Sequence, residues 1–204
     1  MYLFHNPPIL ENIFPQITWK VKTEKKILYL SFDDGPDPAM TPFVLDTLRR
    51  YEAKATFFCV GKMALSERTL LDQMRTEGHT IGNHSFSHLN GWRTNVQDYL
   101  EDVEKCNMVF KSSLFRPPYG KIKPSQLSAL SKKYRVVMWD VLSGDFDPLL
   151  SVKKCREKII RYAEKGSIIV FHDTISSSGR LIHTLPDILD YYARKGFIFK
   201  AIPE

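Results

Sequence analysis

Two carboxylates stand side by side at the end of an apolar run, Ile27-Leu28-Tyr29-Leu30-Ser31-Phe32-Asp33-Asp34, and a Gly35-Pro36 breaker follows at once. Successive side chains at a strand end point in different directions, so Asp33 and Asp34 can take separate tasks. By itself the segment would read as a strand ending in a turn, where Asp-Gly is common. Further along, His84-Ser85-Phe86-Ser87-His88 spaces two imidazoles at i and i+4. One helical turn there would aim both at a single cation. Two histidines and one of the paired carboxylates make a His-His-Asp set with open positions, suited to zinc, cobalt or ferrous iron. A histidine pair of this spacing is also common on surfaces and around cores, so its weight depends on its company.

That company is substantial. Arg116-Pro117-Pro118-Tyr119-Gly120 places an arginine where two prolines restrict the backbone. Asp140 and Asp145 flank a Ser-Gly turn, and His172-Asp173 closes an apolar run. Alone, Arg116 would be a surface arginine at a strand end and His172 a satisfied core histidine.

The elements that carry these residues alternate. Apolar, strand-like runs are expected at Ile27–Phe32, Ala55–Val60, Thr80–His84, Leu114–Arg116, Arg135–Val141 and Ser167–Phe171, with a closing strand at Phe197–Ala201. Tyr29, Phe57 and Phe58 lie in these runs and are expected in the core. Helices are expected between them. Thr41–Tyr51 has Thr41 as N-cap and Pro42 at its first position, and Ser66–Glu77 has Ser66 as N-cap and Gly78 just beyond. The others are Asn95–Lys111, Ser125–Lys133, Val152–Lys165 and Leu185–Lys195. Strands apolar throughout imply a parallel sheet covered by helices. Each cluster of reactive residues comes just after a strand. In an α/β barrel the carboxyl ends of the strands share one mouth, whereas an open sheet gathers only groups near its switch point. The expected fold is therefore an α/β, distorted (β/α) barrel of about seven parallel strands. Residues 1–25, broken by Pro7, Pro8 and Pro15, are expected to be an irregular segment packing on one domain of residues 26–204.

The bulk numbers exclude several classes. At 204 residues the chain is most simply one domain. Cys59, Cys106 and Cys155 show no C-x-x-C spacing, which argues against a disulfide framework or a cysteine-built zinc site. A net charge of +6 comes from lysines and arginines mixed with acids, as in Arg156-Glu157-Lys158, so no nucleic-acid partner is expected. With neither a signal peptide nor a membrane span recognisable, the reading is cytoplasmic. Gly-x-Ser-x-Gly, P-loop and dinucleotide fingerprints are missing.

Ser31–Pro36, His84–His88, Arg116–Gly120, Trp139–Phe146 and Ile169–Asp173 have the order and rough spacing of five motifs. They resemble those of the polysaccharide deacetylases, the NodB-homology group of carbohydrate esterase family 4, from about residue 26 to the C-terminus. The resemblance implies a distorted barrel and metal-dependent hydrolysis of N- or O-acetyl groups on sugars. It implies that Asp34, His84 and His88 hold a divalent metal, zinc first, with cobalt or nickel as alternatives. Asp33 would be the general base, held by Arg116, and His172 the general acid, oriented by Asp145. The backbone N–H of Tyr119, in the turn set by Pro117, would stabilise the oxyanion, and Phe146 would wall the site. The implied partner is an acetylated carbohydrate, and the chain is expected to be a monomer.

The fourth motif departs from the family: Leu142-Ser143-Gly144-Asp145-Phe146 lacks its first aspartate and its tryptophan, and Asp140 competes for the role of Asp145. His88 is followed by Leu89-Asn90 where the family has a proline. His5, His79 and His183 have no motif role. His79 would face solvent, His183 would lie in a loop near the mouth, and Ser176–Arg180 would form a flexible rim. Competing readings are an O-acetyl (xylan-type) esterase, a non-catalytic sugar-binding relic, and a ferrous oxygenase using the His-His-Asp set.

Overall fold

The computed structural model describes residues 3–7 and 9–204. In chain order the elements are α1 (Ile9–Ile13), β1 (Ile17–Thr18), β2 (Ile27–Asp33), α2 (Thr41–Arg50), β3 (Thr56–Cys59), α3 (Gly61–Ser66), α4 (Arg68–Thr76) and β4 (Thr80–Asn83). They continue with α5 (Val96–Val109), β5 (Leu114–Phe115), α6 (Pro124–Leu130), β6 (Arg135–Val137), β7 (Val141–Leu142), α7 (Val152–Tyr162), β8 (Ile168–His172), α8 (Ser178–Arg194) and β9 (Ile198–Lys200).

The strands form one sheet in the order β1-β6-β5-β4-β3-β2-β8-β7, and β9 pairs with the start of β2. All of these pairings are parallel. β2 is central, and all seven of its residues are buried. Its period of two divides two interiors. Leu28, Leu30 and Phe32 face the helices, in one cluster with Val44, Leu48, Leu185 and Ile188. Ile27 and Tyr29 face the barrel interior with Phe58, Val137 and Ile168. Phe32 stacks between Phe57 and Phe171, its register partners on β3 and β8, at 5.0 and 5.8 Å. Asp33, one step on, therefore turns inward.

The sequence places one strand over Arg135–Val141; the structure breaks it in two. β6 pairs with β5 and β1, while β7 pairs with β8 at the other end of the sheet. Met138 N–H still bonds Thr18 O, whereas Asp140 N–H bonds Ile168 O. Three residues reach at most about 10 Å, so the two ends of the sheet lie close and the barrel is nearly closed. Arg116 fills the seam: its Nε and Nη2 donate to the carbonyls of Val137 and Met138, at 3.2 and 2.8 Å. A guanidinium from a neighbouring strand end, invisible to a local pattern, replaces the ladder there.

Other local expectations are corrected. The first 25 residues contain α1 and the sheet strand β1. Ser66 is no N-cap; it ends α3, its hydroxyl donating to Met63 O at 2.9 Å, and α4 follows Glu67. Thr41 is already inside α2, whose N-cap is Met40; the Thr41 hydroxyl serves Asp37 N–H and Asp173 instead. Ser178–Arg180 are the first turn of α8, not a flexible rim, and His183 lies exposed on that helix rather than in a loop. β9 pairs only with β2 and does not close the barrel. No helix among the described residues is long and apolar enough to cross a membrane.

Candidate active site

β2 ends on Asp33, and Asp34 leaves it in the left-handed region, φ +78°. That conformation, which Asp tolerates better than most side chains, separates the directions of the two carboxylates. Asp33 Oδ1 accepts a 2.6 Å bond from Arg116 Nη1, whose side chain is fully buried. The same nitrogen reaches Ser31 Oγ at 2.8 Å, and the guanidinium stacks on Phe58 at 4.0 Å.

Asp34 instead meets the two histidines. Its Oδ1 is 3.4 Å from His84 Nε2 and 2.9 Å from His88 Nε2, and one donor atom from each group lies within 4.8 Å of the others. Ligands about 2.0–2.1 Å from a tetrahedral zinc sit roughly 3.3 Å apart, so the spacing fits a metal. The outer contacts fit as well. His84 Nδ1 is 2.7 Å from Arg116 O, a group that can only accept, so this nitrogen carries the proton and leaves Nε2 free to ligate. His88 Nδ1 is 3.1 Å from the Tyr119 hydroxyl. Burial opposes the charged form of Asp34, but hydrogen bonds from the two imidazoles when they are protonated at Nε2, with the charge of His172, outweigh it and hold the carboxyl far below its ordinary range.

The His84–His88 segment is not the helical turn that i, i+4 spacing suggests. His84 follows β4, and Ser85 and His88 have positive φ, +62° and +57°. Two carboxamide and carboxylate groups hold this shape. Asn83 Oδ1 accepts Ser85 N–H at 2.8 Å, and Asp102 Oδ2, from α5, accepts the N–H groups of Phe86 and Ser87 at 3.0 and 2.9 Å. Nothing in the sequence of this helix singles out Asp102; only packing shows its aim.

On the opposite side, His172 ends β8 with Nδ1 2.8 Å from Asp145 Oδ1. Asp145 is fully buried and also accepts from Ser143 Oγ and from His172 N–H. Burial would lower the pKa of His172, but the charge and hydrogen bond of Asp145, helped by Asp34 and Asp33, raise it to about 9. Phe146 meets the imidazole edge-on at 5.1 Å. Between the two halves lies a cleft of about 570 Å³, lined by Asp33, Asp34, His84, His88 and His172 and walled by aromatic side chains.

A family model described as polysaccharide deacetylase matches residues 20–137, more than half of the chain. The chain belongs to the polysaccharide deacetylase family. It is 33% identical over 198 residues to a peptidoglycan-N-acetylglucosamine deacetylase of Bacillus cereus, covering 92% of each. A chitooligosaccharide deacetylase of Azorhizobium caulinodans is 32% identical over 162 residues, covering 76% of this chain and 77% of that one. Among solved structures, the Bc1960 peptidoglycan N-acetylglucosamine deacetylase, in complex with 4-naphthalen-1-yl-N-oxidanyl-benzamide, superposes with a TM-score of 0.87. It is 28% identical and covers 92% of this chain and 91% of that one.

The remaining residues singled out in this polysaccharide deacetylase sequence divide between the cleft and places away from it. Tyr119 sits at φ +60° in the single turn Pro118–Gly120, whose own hydrogen bonds come from Gly120 and Lys121 N–H. Pro117 is buried before the turn, extended at φ −69°. Asp140 does not reach His172; it pairs with His5 Nε2 at 3.1 Å and accepts from Ser167 Oγ. His79 is buried rather than solvent-facing. It accepts Ala55 N–H at Nδ1, and burial with nearby Lys54 lowers its pKa to about 4. Asp173 lies beside Gly35, where a Cβ would come within 2.3 Å of its carboxylate. Burial, against a hydrogen bond from Thr41 and with the charges of Asp34 and Asp33, pushes Asp173 up to about 8. Trp92 and Lys121, both lining the cleft, went unrecognised in the sequence. The available signal was a tryptophan in a polar turn, Asn90-Gly91-Trp92-Arg93-Thr94, with no apolar period to bury it.

Proposed function

We propose that this protein removes the acetyl group from an N-acetylglucosamine-type residue of a glycan, with Asp34, His84 and His88 holding a divalent metal, zinc first. The observation that carries the reading is one cleft with a His-His-Asp cluster flanked by an Arg-held carboxylate and an Asp-held imidazole. The activities named for the relatives support glycan deacetylation.

When bound, a metal supplies a Lewis acid that polarises the acetyl carbonyl and lowers the pKa of a water toward ~7. Asp33, oriented through Oδ1 by Arg116, takes the proton of the attacking water; a positioned base contributes about 10²–10⁴ in rate. The Tyr119 N–H, presented by its left-handed backbone, faces the developing oxyanion. His172 has Nδ1 committed to Asp145, so Nε2 delivers a proton to the departing amine. An amine leaves poorly unless protonated. A histidine with its pKa near 9 remains charged at neutral pH, which favours the amide over the O-acetyl ester.

The test is acetate release from N-acetylglucosamine oligomers by metal-stripped protein refilled with zinc, beside Asp33→Asn. Release restored by zinc and lost in the variant, with metal still bound, is the expected result. Zinc bound without release from any acetylated sugar overturns it.

A further inference from the structure

One wall of the cleft is built beyond what the chemistry needs. Trp92 is 62% exposed, yet its loop is fastened at many points. Its Nε1 donates to Ile122 O at 3.3 Å, its N–H bonds Asn90 Oδ1, and the buried Gln126 amide donates to the carbonyls of Gly91 and Thr94. Lys123 Nζ also donates to Thr94 O, at 2.7 Å. Gly91 permits this contact, because a Cβ there would lie 2.3 Å from Lys121 O. A large aromatic that is exposed but immobilised loses little entropy when it meets a ligand.

Tyr119, 60% exposed, offers a second ring, tied to His88 through its hydroxyl. Lys121 Nζ bridges the two, 5.4 Å from the Trp92 centroid and 6.0 Å from that of Tyr119. It is the one lysine or arginine among the residues lining the cleft, and among the described residues it has no ion pair. The carboxylates of the cleft are already engaged: Asp33 by Arg116, Asp34 by the histidines. Two flat apolar faces with one uncommitted cation between them suit a hexose ring bearing a negative substituent.

We propose that Trp92, Lys121 and Tyr119 form a subsite for the sugar next to the one deacetylated, and that Lys121 selects glycans in which this neighbour carries a carboxylate. The proposal rests on the deacetylase reading for its position, and its test separates the two.

Zinc-loaded protein is compared on N-acetylglucosamine oligomers and on oligosaccharides of equal length in which N-acetylglucosamine alternates with N-acetylmuramic acid or with glucuronic acid. The expected kcat/KM favours a carboxylate-bearing series by roughly fivefold at low salt, the upper range for one partly exposed charge pair. Lys121→Met brings that ratio toward one, and Lys121→Arg keeps it. Which acid is preferred identifies the source of the carboxylate. Trp92→Leu raises KM about tenfold, with a smaller change in kcat. Binding is followed in parallel by tryptophan fluorescence, with Trp92→Leu separating the signal of Trp92 from that of Trp139, which lines the same cleft. A carboxylate preference in binding without any acetate release supports the subsite and overturns the deacetylase reading. Equal use and equal binding of neutral and acidic glycans, or a preference that survives Lys121→Met, overturns the subsite.

Discussion

Asp145 holds His172 at two points: its Oδ1 lies 2.8 Å from the imidazole Nδ1, and its Oδ2 accepts the backbone N–H of the same residue, also at 2.8 Å. The side chain and its own backbone are thus locked to one carboxylate, and Asp145 has no exposure through which to yield. In Asp145→Asn the charge that favours the imidazolium is gone. The alkaline limb of kcat/KM should move to lower pH and the rate at neutral pH should fall about 10²-fold, within the range of general acid catalysis. A pH-rate profile of the variant checks both.

For the unmodified protein the same pair sets a pH window. His172 titrates near 9 in the fold and near 6.5 when unfolded, so its contribution to stability is complete below about 6.5 and is lost as pH rises through about 9. Acetate release, which in the proposed mechanism draws on the protonated form, should decline over the same upper range. Denaturant midpoints and rates measured between pH 6 and 10 test the parallel.

Arg116 joins stability to the site. It is the largest fully buried side chain, and it spans Asp33, Ser31 and the carbonyls at the barrel seam. Arg116→Met strands a buried carboxylate and leaves those carbonyls unpaired. A loss of about 3–5 kcal/mol is expected in urea unfolding, together with loss of activity.

Metal loading should stabilise the fold by mass action. At a free zinc concentration of 100 Kd the gain is about 2.7 kcal/mol. A thermal melt should shift upward with zinc and return with a chelator, and His88→Gln should reduce the shift.

Asp102 touches none of the ligand atoms, yet it fixes the segment that carries them through Phe86 and Ser87 N–H. Asp102→Ala should weaken zinc about 10–100-fold, as loss of an outer-shell partner does. Competition with a chromophoric chelator measures this. Unchanged affinity would remove Asp102 from the metal site.

The parts of this protein legible in its sequence are those set by local rules. β2 is apolar at successive positions because helices cover one of its faces and the barrel interior the other, and the reactive residues follow strands because parallel strands share one mouth. Asp33, Asp34, His84, His88, Arg116 and His172 could be named on that ground and on motif order. What escaped were contacts between distant segments. Motif order points to Asp145 over Asp140 as the partner of His172, but the physical reason, β7 lying beside β8, is hidden when residues 135–141 read as one strand. The His84–His88 loop has its shape because Asn83 and Asp102 satisfy its N–H groups, not because of helical spacing. Trp92 is held exposed by its own bond to Ile122 O and by Gln126, which donates to Gly91 O and Thr94 O on either side, contacts that a polar turn sequence does not announce. Periodicity and motif order record which faces are buried and which residues follow a strand. The direction of a carboxylate, or the partner of a histidine, is decided only when backbones far apart in the chain come within hydrogen-bond reach.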